Sequence, residues 1–246
     1  EKSLIDPDSH QMGVSNNGTD IAYNVQSCVD AKEHIIVTTD VVTSPADQTQ
    51  LYSMAKKVAE ELKISESEVL TVLADKGYWR VEDIVSCDSD DKINAIVAVP
   101  KDRGTPGYRK SDFKYNRETD EYICPMGHVM KRWKGKTATY TNAKACKECP
   151  NRDKCTKSSH GRTILRNEHE DIIEEAINRY KENSELYRMR QQLVEHPFGT
   201  MKRILGFTHF LTQRLENVKT ENYLHVITYN LKRVLSIFRV PELVEQ

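Results

Sequence analysis

No run of apolar residues approaches the roughly 18–20 that cross a bilayer, which excludes a membrane-spanning helix. The first residues lack the basic-then-apolar pattern of a secretory signal. Internal repeats and low-complexity tracts are missing as well. Net charge is nearly absent: 36 basic and 37 acidic residues leave −1, which taken alone argues against a nucleic-acid binder. The chain also lacks an initiating Met. It begins Glu1-Lys2-Ser3, and the expectation is a piece of something longer. What is present is a globular composition, 38% hydrophobic and 30% charged over 246 residues. That length fits one large domain, or one domain carrying an insertion.

The near-zero charge conceals an asymmetry. Residues 1–100 hold 8 Lys/Arg and 18 Asp/Glu, a net of −10. The remaining residues hold 28 basic and 19 acidic, a net of +9. An acidic half followed by a basic half points to nucleic acid for the second.

Cysteine usage divides in the same way. Cys28 and Cys87 stand alone in apolar settings and read as core residues. Cys124, Cys146, Cys149 and Cys155 crowd into one polar stretch, in the spacing Cys-x21-Cys-x2-Cys-x5-Cys. Without a secretory signal, a Cys-x-x-Cys pair favours metal over disulfides. Four thiolates suit tetrahedral zinc, and an iron–sulfur cluster or unligated thiols are the alternatives. His128 and His160 are spare ligand candidates. Lys131, Arg132, Lys134, Lys136, Lys144, Lys147, Arg152, Lys154 and Lys157 surround the cluster, with Tyr115, Tyr122, Trp133 and Tyr140 interleaved. Such a mixture reads either as a nucleic-acid surface or as ordinary solvated charge.

Along the chain, residues 1–20 are polar and turn-rich (Asp6-Pro7-Asp8, Asn16-Asn17-Gly18). Strands are predicted at Ile21 to Val29, His34 to Val42, Ser67 to Ala74 and Ile93 to Val99. A helix starting near Ser44-Pro45-Ala46-Asp47 carries Leu51, Met54, Ala55, Val58 and Leu62 at helical spacing, and another runs from Val81 to Cys87. The run Val69 to Ala74 reads as a strand buried on both faces. Together these give an α/β layer with one mixed sheet. Domain boundaries are expected at 1–99, 100–165 and 166–246. Helical periodicity returns over 168–205 and 216–239, with a break at Asn183-Ser184 and a kink or break at His196-Pro197. In the last helix, Leu224, Ile227, Leu231, Val234 and Phe238 form an apolar stripe expected to pack on the sheet. His225 reads as a polar-face or satisfied core histidine, and Pro241 to Gln246 as a frayed tail.

Two carboxylates stand out. Asp75 closes a buried strand, where open α/β sheets place ligands, with Gly77 permitting a sharp turn; the equal alternative is a helix cap. Glu195 lies in Tyr187-Arg188-Met189-Arg190-Gln191-Gln192-Leu193-Val194-Glu195-His196-Pro197-Phe198-Gly199-Thr200-Met201-Lys202-Arg203. Tyr187, Arg190 or Gln191, Glu195 and Lys202 fall roughly on one helix face. A surface ion-pair ladder is the plain alternative.

These residues carry a resemblance. The stretch Tyr187 to Lys202 resembles the Tyr-Arg-Glu-Lys signature of insertion-sequence DDE transposases, with Val194 to Arg203 its most specific part. Leu73 to Trp79 resembles the second-aspartate motif of the same enzymes. Ala22 to Asp30, the Cys-rich stretch, and Thr208 to Val234 are similar to one branch of that class. The resemblance implies an RNase H-like, retroviral-integrase-type mixed sheet flanked by helices, with a Cys-rich insertion. It implies cleavage and joining of DNA with two magnesium (or manganese) ions. Carried over, Asp75 is the second catalytic carboxylate and Glu195 the third. Arg190, Lys202 and Arg203 would contact DNA phosphate, with Tyr187 beside them. DNA ends and target DNA would be the partners, a homodimer is expected of the full-length protein, and the location would be the bacterial cytoplasm, at the nucleoid when DNA is bound. Two-metal phosphoryl transfer needs hard oxygen ligands, and nearby cations offset charge on the scissile phosphate.

One departure matters. No Asp-Gly-Thr-like or Asp-Ser-Thr-like motif occurs between residues 1 and 74, so the first catalytic Asp and the first strand are expected to lie upstream. Gln191 stands where relatives often look basic, which thins the phosphate clamp. The expectation is a transposase catalytic fragment that alone neither cleaves nor joins DNA. The competing readings are a zinc-containing DNA-binding module with structural carboxylates, and a folded but inactive transposase remnant.

Overall fold

The computed structural model describes residues 3–14, 18–100, 107–133 and 138–238. Asn16, Asn17, Lys134, Lys136 and Pro241 to Gln246, all named above, lie outside the described residues. The protein is mixed α/β and divides into two compact units, Glu1–Val99 with Ile172–Gln246, and Pro100–Asp171.

In the first unit the amino-terminal stretch forms a hairpin that its polar composition hid: β1 (His10–Val14) pairs antiparallel with β2 (Gly18–Ala22). Strands β3 (Asn24–Val29) and β4 (Ile36–Val42) form an antiparallel pair. Helix α1 (Leu51–Glu61) follows, starting several residues after Asp47. Strand β5 (Leu70–Ala74), α2 (Val81–Asp88) and β6 (Ile93–Val97) form a parallel βαβ unit. The single mixed sheet expected from the sequence is not formed among the described residues. There are two separate two-stranded sheets, β3-β4 and β5-β6, because no strand bridges β3 to β5. Helix α1 packs against all four strands. Its spaced Leu51 and Ala55 join Ala74, Cys87, Ile93, Ala95 and Val97 in one buried cluster, as apolar residues of an amphipathic helix should.

Helices α5 (Glu170–Glu182), α6 (Ser184–Gly199) and α7 (Leu215–Ile237) complete this unit, with the break at Asn183 where the sequence placed it. Arg179 of α5 donates to Asp88 Oδ1 at 3.0 Å and to the Ala95 carbonyl at 3.2 Å, tying α5 to α2 and β6. The helix does not break at His196-Pro197. Pro197 is buried inside α6, and the irregularity falls just beyond, in a wide π-type turn at Thr200–Ile204.

Helix α7 turns a different face inward from the one its apolar stripe predicts. Leu224 (58% exposed), Ile227 (61%) and Leu231 (58%) face solvent, and Phe238 is also exposed. Val218, Asn222, Val226 and Tyr229 are buried instead. Polar pairing decides this. Asn230 Oδ1 accepts from Ile36 N at 3.0 Å while its Nδ2 donates to Ile36 O at 2.9 Å, and Asn222 donates to Thr39 Oγ1 at 2.8 Å. Asn230 thereby satisfies both backbone groups of buried Ile36 on β4, which would otherwise be orphaned, and Asn222 anchors α7 to the Thr39 hydroxyl. The helix start is held by Asp6 and Asp8, which accept from the backbone N–H groups of Arg214 and Leu215.

The second unit is a five-stranded antiparallel sheet in the order β11-β10-β9-β8-β7. The strands are β7 (Lys114–Asn116), β8 (Glu121–Ile123), β9 (Val129–Arg132), β10 (Thr139–Thr141) and β11 (Thr163–Leu165), with short helices α3 (Ala143–Lys147) and α4 (Arg152–Cys155). Phe113, Tyr122, Met130, Tyr140 and Ile164 form its core. Tyr122 and Tyr140 are therefore interior rings and not part of a nucleic-acid surface; Trp133 is 65% exposed.

Replacing Asn230 with Ala strips Ile36 of both backbone partners and is expected to destabilise the protein by about 1–3 kcal/mol. Leu231→Ala, on the solvent side, is expected to stay within about 0.5 kcal/mol. Urea denaturation of the two variants checks the contrast.

Candidate active site

Asp75 follows the last residue of β5 and begins a 3-10 turn, Lys76–Tyr78. Its Oδ1 accepts from Gly77 N at 2.6 Å, so the capping arrangement is realised, at the carboxyl end of the strand. Its Oδ2 meets Arg190 Nη2 of α6 at 3.4 Å. The Arg190 guanidinium also lies 5.7 Å from the centre of the Tyr187 ring, and Tyr187 packs edge-on against Tyr180. Three predicted residues, Asp75, Arg190 and Tyr187, thus come together. Burial raises the Tyr187 phenol above its ordinary range, partly countered by Arg190.

Two residues that the sequence reading passed over stand under this turn. A Cβ on Gly77 would meet Asp47 Oδ2 at 3.1 Å and Asp75 Oδ1 at 3.3 Å, so the two carboxylates flank one point and only glycine fits between them without a shift. Asp47 Oδ1 accepts from Asn24 Nδ2 and from Gln26 Nε2, each at 2.9 Å. Gln26, 2% exposed, in turn accepts from the Tyr78 hydroxyl. Burial, then the negative Asp47, raises the Tyr78 pKa strongly and keeps it the donor. Asp47 was legible only as a helix start, and Gln26 in a strand gave no signal.

Glu195 is not brought to this group. It is exposed on α6, where its Oε1 accepts from Gln191 Nε2 at 3.0 Å. The reason is helical geometry: five residues after Arg190, its side chain points roughly 140° around the axis. The expected common face therefore splits, with Tyr187 and Arg190 toward Asp75 and Gln191 and Glu195 outward. Lys202 and Arg203 stand exposed on the Thr200–Ile204 turn, and neither forms an ion pair among the described residues. The loop after that turn is fastened to α7. Glu221 accepts from Leu211 N at 2.8 Å, Thr212 N at 2.9 Å and Thr212 Oγ1 at 2.7 Å, and His225 stacks on Phe207 at 3.8 Å. Burial pushes Glu221 up, but these hydrogen bonds outweigh it and hold its pKa below normal. Burial lowers the His225 pKa, against the pull of Glu221.

Neither expected metal set is formed: among the described residues, no group of three or more His, Cys, Asp and Glu side chains is arranged to hold a metal ion. The Asp75 carboxylate accepts from Gly77 and pairs with Arg190, while Glu195 is exposed on α6 and accepts from Gln191. Zinc at Cys124, Cys146, Cys149 and Cys155 is likewise unsupported. All four line one cavity of about 30 Å³ in the second unit, but Cys124 and Cys155 pack on the aromatic core as apolar side chains. Burial raises the Cys155 thiol pKa, which favours the protonated form.

Residues 123–235 match the family model described as Transposase DDE domain. Over that stretch, which contains the four clustered cysteines, Arg190, Glu195 and Lys202 but not Asp75, the chain resembles DDE transposases. The comparison with curated proteins found no match, and neither did the comparison with solved structures. No helix among the described residues is long and apolar enough to cross a membrane.

Two outcomes follow. As pH falls through about 6.5, the unfolded chain takes up a proton that native His225 resists, so stability should drop between pH 7.5 and 5.5. His225→Gln should flatten that drop, read as urea midpoints at the two pH values. In the second unit, Gly161 has φ of +89°, and a Cβ there would lie 2.8 Å from Cys146 Cβ. Gly161→Ala is expected to cost about 1–3 kcal/mol, read by thermal unfolding.

Proposed function

We propose that the chain is catalytic-domain sequence of a DDE-type DNA transposase with an RNase H-like core, in which Asp75 and Glu195 are two of the acidic residues. The observation that carries this reading is the joining of Asp75 to Arg190 and Tyr187 across β5 and α6, two sequence motifs far apart in the chain. Arg190 now neutralises Asp75; a DNA phosphate reaching the site competes for the same guanidinium, whose planar fork suits phosphate oxygens. Lys202 and Arg203, unpaired and exposed, serve as further phosphate contacts. The residues as arranged do not hold a metal, and the catalytic step needs a rearranged acidic set that includes a third carboxylate. The chain by itself is therefore expected to bind DNA without cleaving it.

The Cys-rich unit was the basis of a second reading, a zinc-containing DNA-binding module. No specific observation favours it, since Tyr122 and Tyr140 are core, although Trp133 is exposed, and several of its cations are engaged. Lys131 pairs with Glu121, Arg132 with Asp120, and Arg152 donates to the Ser158 and Ser159 carbonyls.

Fluorescence anisotropy with a short DNA duplex tests the proposal. The chain should bind with an affinity that falls as salt rises. Lys202→Ala and Arg203→Ala should each weaken binding on every sequence alike and reduce the salt slope by about 1. Absence of salt-dependent binding would overturn the DNA reading. Magnesium-dependent plasmid nicking that is lost in Glu195→Gln would overturn the statement that the chain alone is inactive.

A further inference from the structure

In the second unit, helix α3 ends at Lys147, and Glu148 after it keeps near-helical backbone angles (φ −96°, ψ 2°). Cys146 and Cys149 therefore stand three residues apart along one turn, a spacing that brings Cβ atoms to about 5–6 Å. A disulfide needs about 3.5–4.5 Å between the same atoms, so a slight tightening of that turn closes the gap. The other two thiols of the cluster are committed elsewhere, since Cys124 and Cys155 pack on the aromatic core. Cys146 and Cys149 are partly exposed and have no such packing role. All four line one cavity of about 30 Å³, room for roughly one or two molecules the size of water. Arg162 lines it too, and its buried Nε has no hydrogen-bond partner among the described residues. Its guanidinium lies 5.5 Å from the centre of the Phe113 ring, which offers a face but no acceptor atom. Gly161, just before it in the chain, touches Cys146: a Cβ there would lie 3.1 Å from the Cys146 sulfur. A cation without an acceptor thus shares a cavity with thiols that can carry negative charge. The two isolated cysteines differ. Burial pushes the Cys28 thiol up to about 11 and the Cys87 thiol up to about 12, which keeps both protonated and inert.

We infer that Cys146 and Cys149 form a peroxide-reactive dithiol, with Arg162 supporting the charge on sulfur. The co-reactant is hydrogen peroxide, small enough for the cavity. The Cys146 thiolate attacks one peroxide oxygen, the O–O bond breaks, and the departing hydroxide takes a proton and leaves as water. Cys146 is then a sulfenic acid. The Cys149 sulfur attacks it, the S–S bond forms, and the hydroxyl leaves with the Cys149 proton as a second water. Two thiols have lost two electrons in all, and one peroxide has gained them. Cys146 takes the first step because it is the thiol packed against the Gly161-Arg162 segment. Cys149 resolves it because it is the thiol on the same turn. Where thiols are kept reduced, a disulfide of this kind is transient and serves as a sensor. The inference goes beyond the DNA reading and does not depend on it, because it rests on side chains of the second unit alone.

Treating the full chain with hydrogen peroxide, then alkylating the remaining thiols and reading the peptides by mass spectrometry, tests this. The expected product is one disulfide within the chain, joining Cys146 to Cys149 and reversed by dithiothreitol. It should form about tenfold faster than Cys87 is oxidised. In Cys149→Ser the sulfenic acid has no resolving partner, and dimedone should trap it on Cys146. Arg162→Gln should slow disulfide formation about threefold or more, and Arg162→Lys, which keeps the charge, by less. No disulfide between the two residues, a disulfide only between chains, equal oxidation of Cys87, or no dimedone adduct on Cys146 would overturn the inference. An unchanged rate in folded Arg162→Gln would overturn the part given to Arg162; if that variant does not fold, the wild-type chain and Cys149→Ser decide. DNA is absent from this experiment, so its failure is separate from failure of the DNA-binding test.

Discussion

A strand edge must find partners for its backbone N–H and C=O groups, and the way this protein treats its edges organises the rest of the first unit. On β4 the partner is not another strand but the side-chain amide of Asn230, which satisfies both backbone groups of Ile36. That requirement, with Asn222 on Thr39, fixes the rotation of α7 about its own axis. The rotation decides that Tyr229 is buried and Leu231 exposed. It also points Glu221 and His225 at the loop behind the Thr200–Ile204 turn, and so sets where Lys202 and Arg203 stand. A hydrophobic gain of about 1.5–3 kcal/mol per buried apolar side chain would favour the opposite face of the helix. It does not prevail because the docked face buries Val218, Val226 and Tyr229 itself and adds the amide pairing to Ile36.

The turn at Asp75 has two supports of unequal strength. The Asp75–Arg190 pair has side chains 44% and 21% exposed and a 3.4 Å separation. Pairs of this kind contribute about 0–1 kcal/mol. Beneath it, Gln26 is 2% exposed and links Tyr78, Asn24 and Asp47 through hydrogen bonds that no water can replace without unpacking the core. The turn is therefore held from below, and the ion pair above is free to exchange Arg190 for another partner at little cost. The phosphate contact proposed for Arg190 would draw on this combination, a fixed base and a weakly committed guanidinium.

The sequence revealed elements better than their arrangement. Strands β4 and β6 and helices α1 and α2 were legible because their apolar periodicity agrees with their burial; β5 was legible as a strand, but it is not buried on both faces as its apolar run led us to expect, since Val69 and Thr71 are exposed and only Ala74 is fully buried. The hairpin of β1 and β2 was not, since four of the five β2 residues are exposed and offer no alternation. Asp75, Arg190 and Tyr187 were legible as motif residues, and the structure gathers them. Glu195 was legible as a motif residue too, but its direction was not: a helical face taken from Tyr187 to Glu195 spans too wide an arc to separate Arg190 from Glu195. Gln26 was invisible because nothing in a strand announces a buried amide, and Asp47 was legible only as a helix start. The stripe on α7 misled because periodicity records apolar spacing, whereas the docked face was chosen by amides.

The second unit is built around an aromatic core. A small segment with little core needs a staple. This one has a core. The rings of Tyr115, Tyr122 and Tyr140 meet tilted or edge-on with centroids 4.9 to 6.1 Å apart, and Arg166 lies 3.7 Å over the Tyr115 ring. Asp120 accepts from the hydroxyls of both Tyr115 and Tyr140, whose hydrogen bonds hold its carboxyl below the ordinary range. The polar ends of the rings are thereby satisfied while their faces are buried, which is the condition for tyrosine to serve as core. With the sheet closed around these rings, the thiols of Cys124 and Cys155 have an apolar surface to cover, and the fold of the unit is accounted for by aromatic packing and one shared carboxylate.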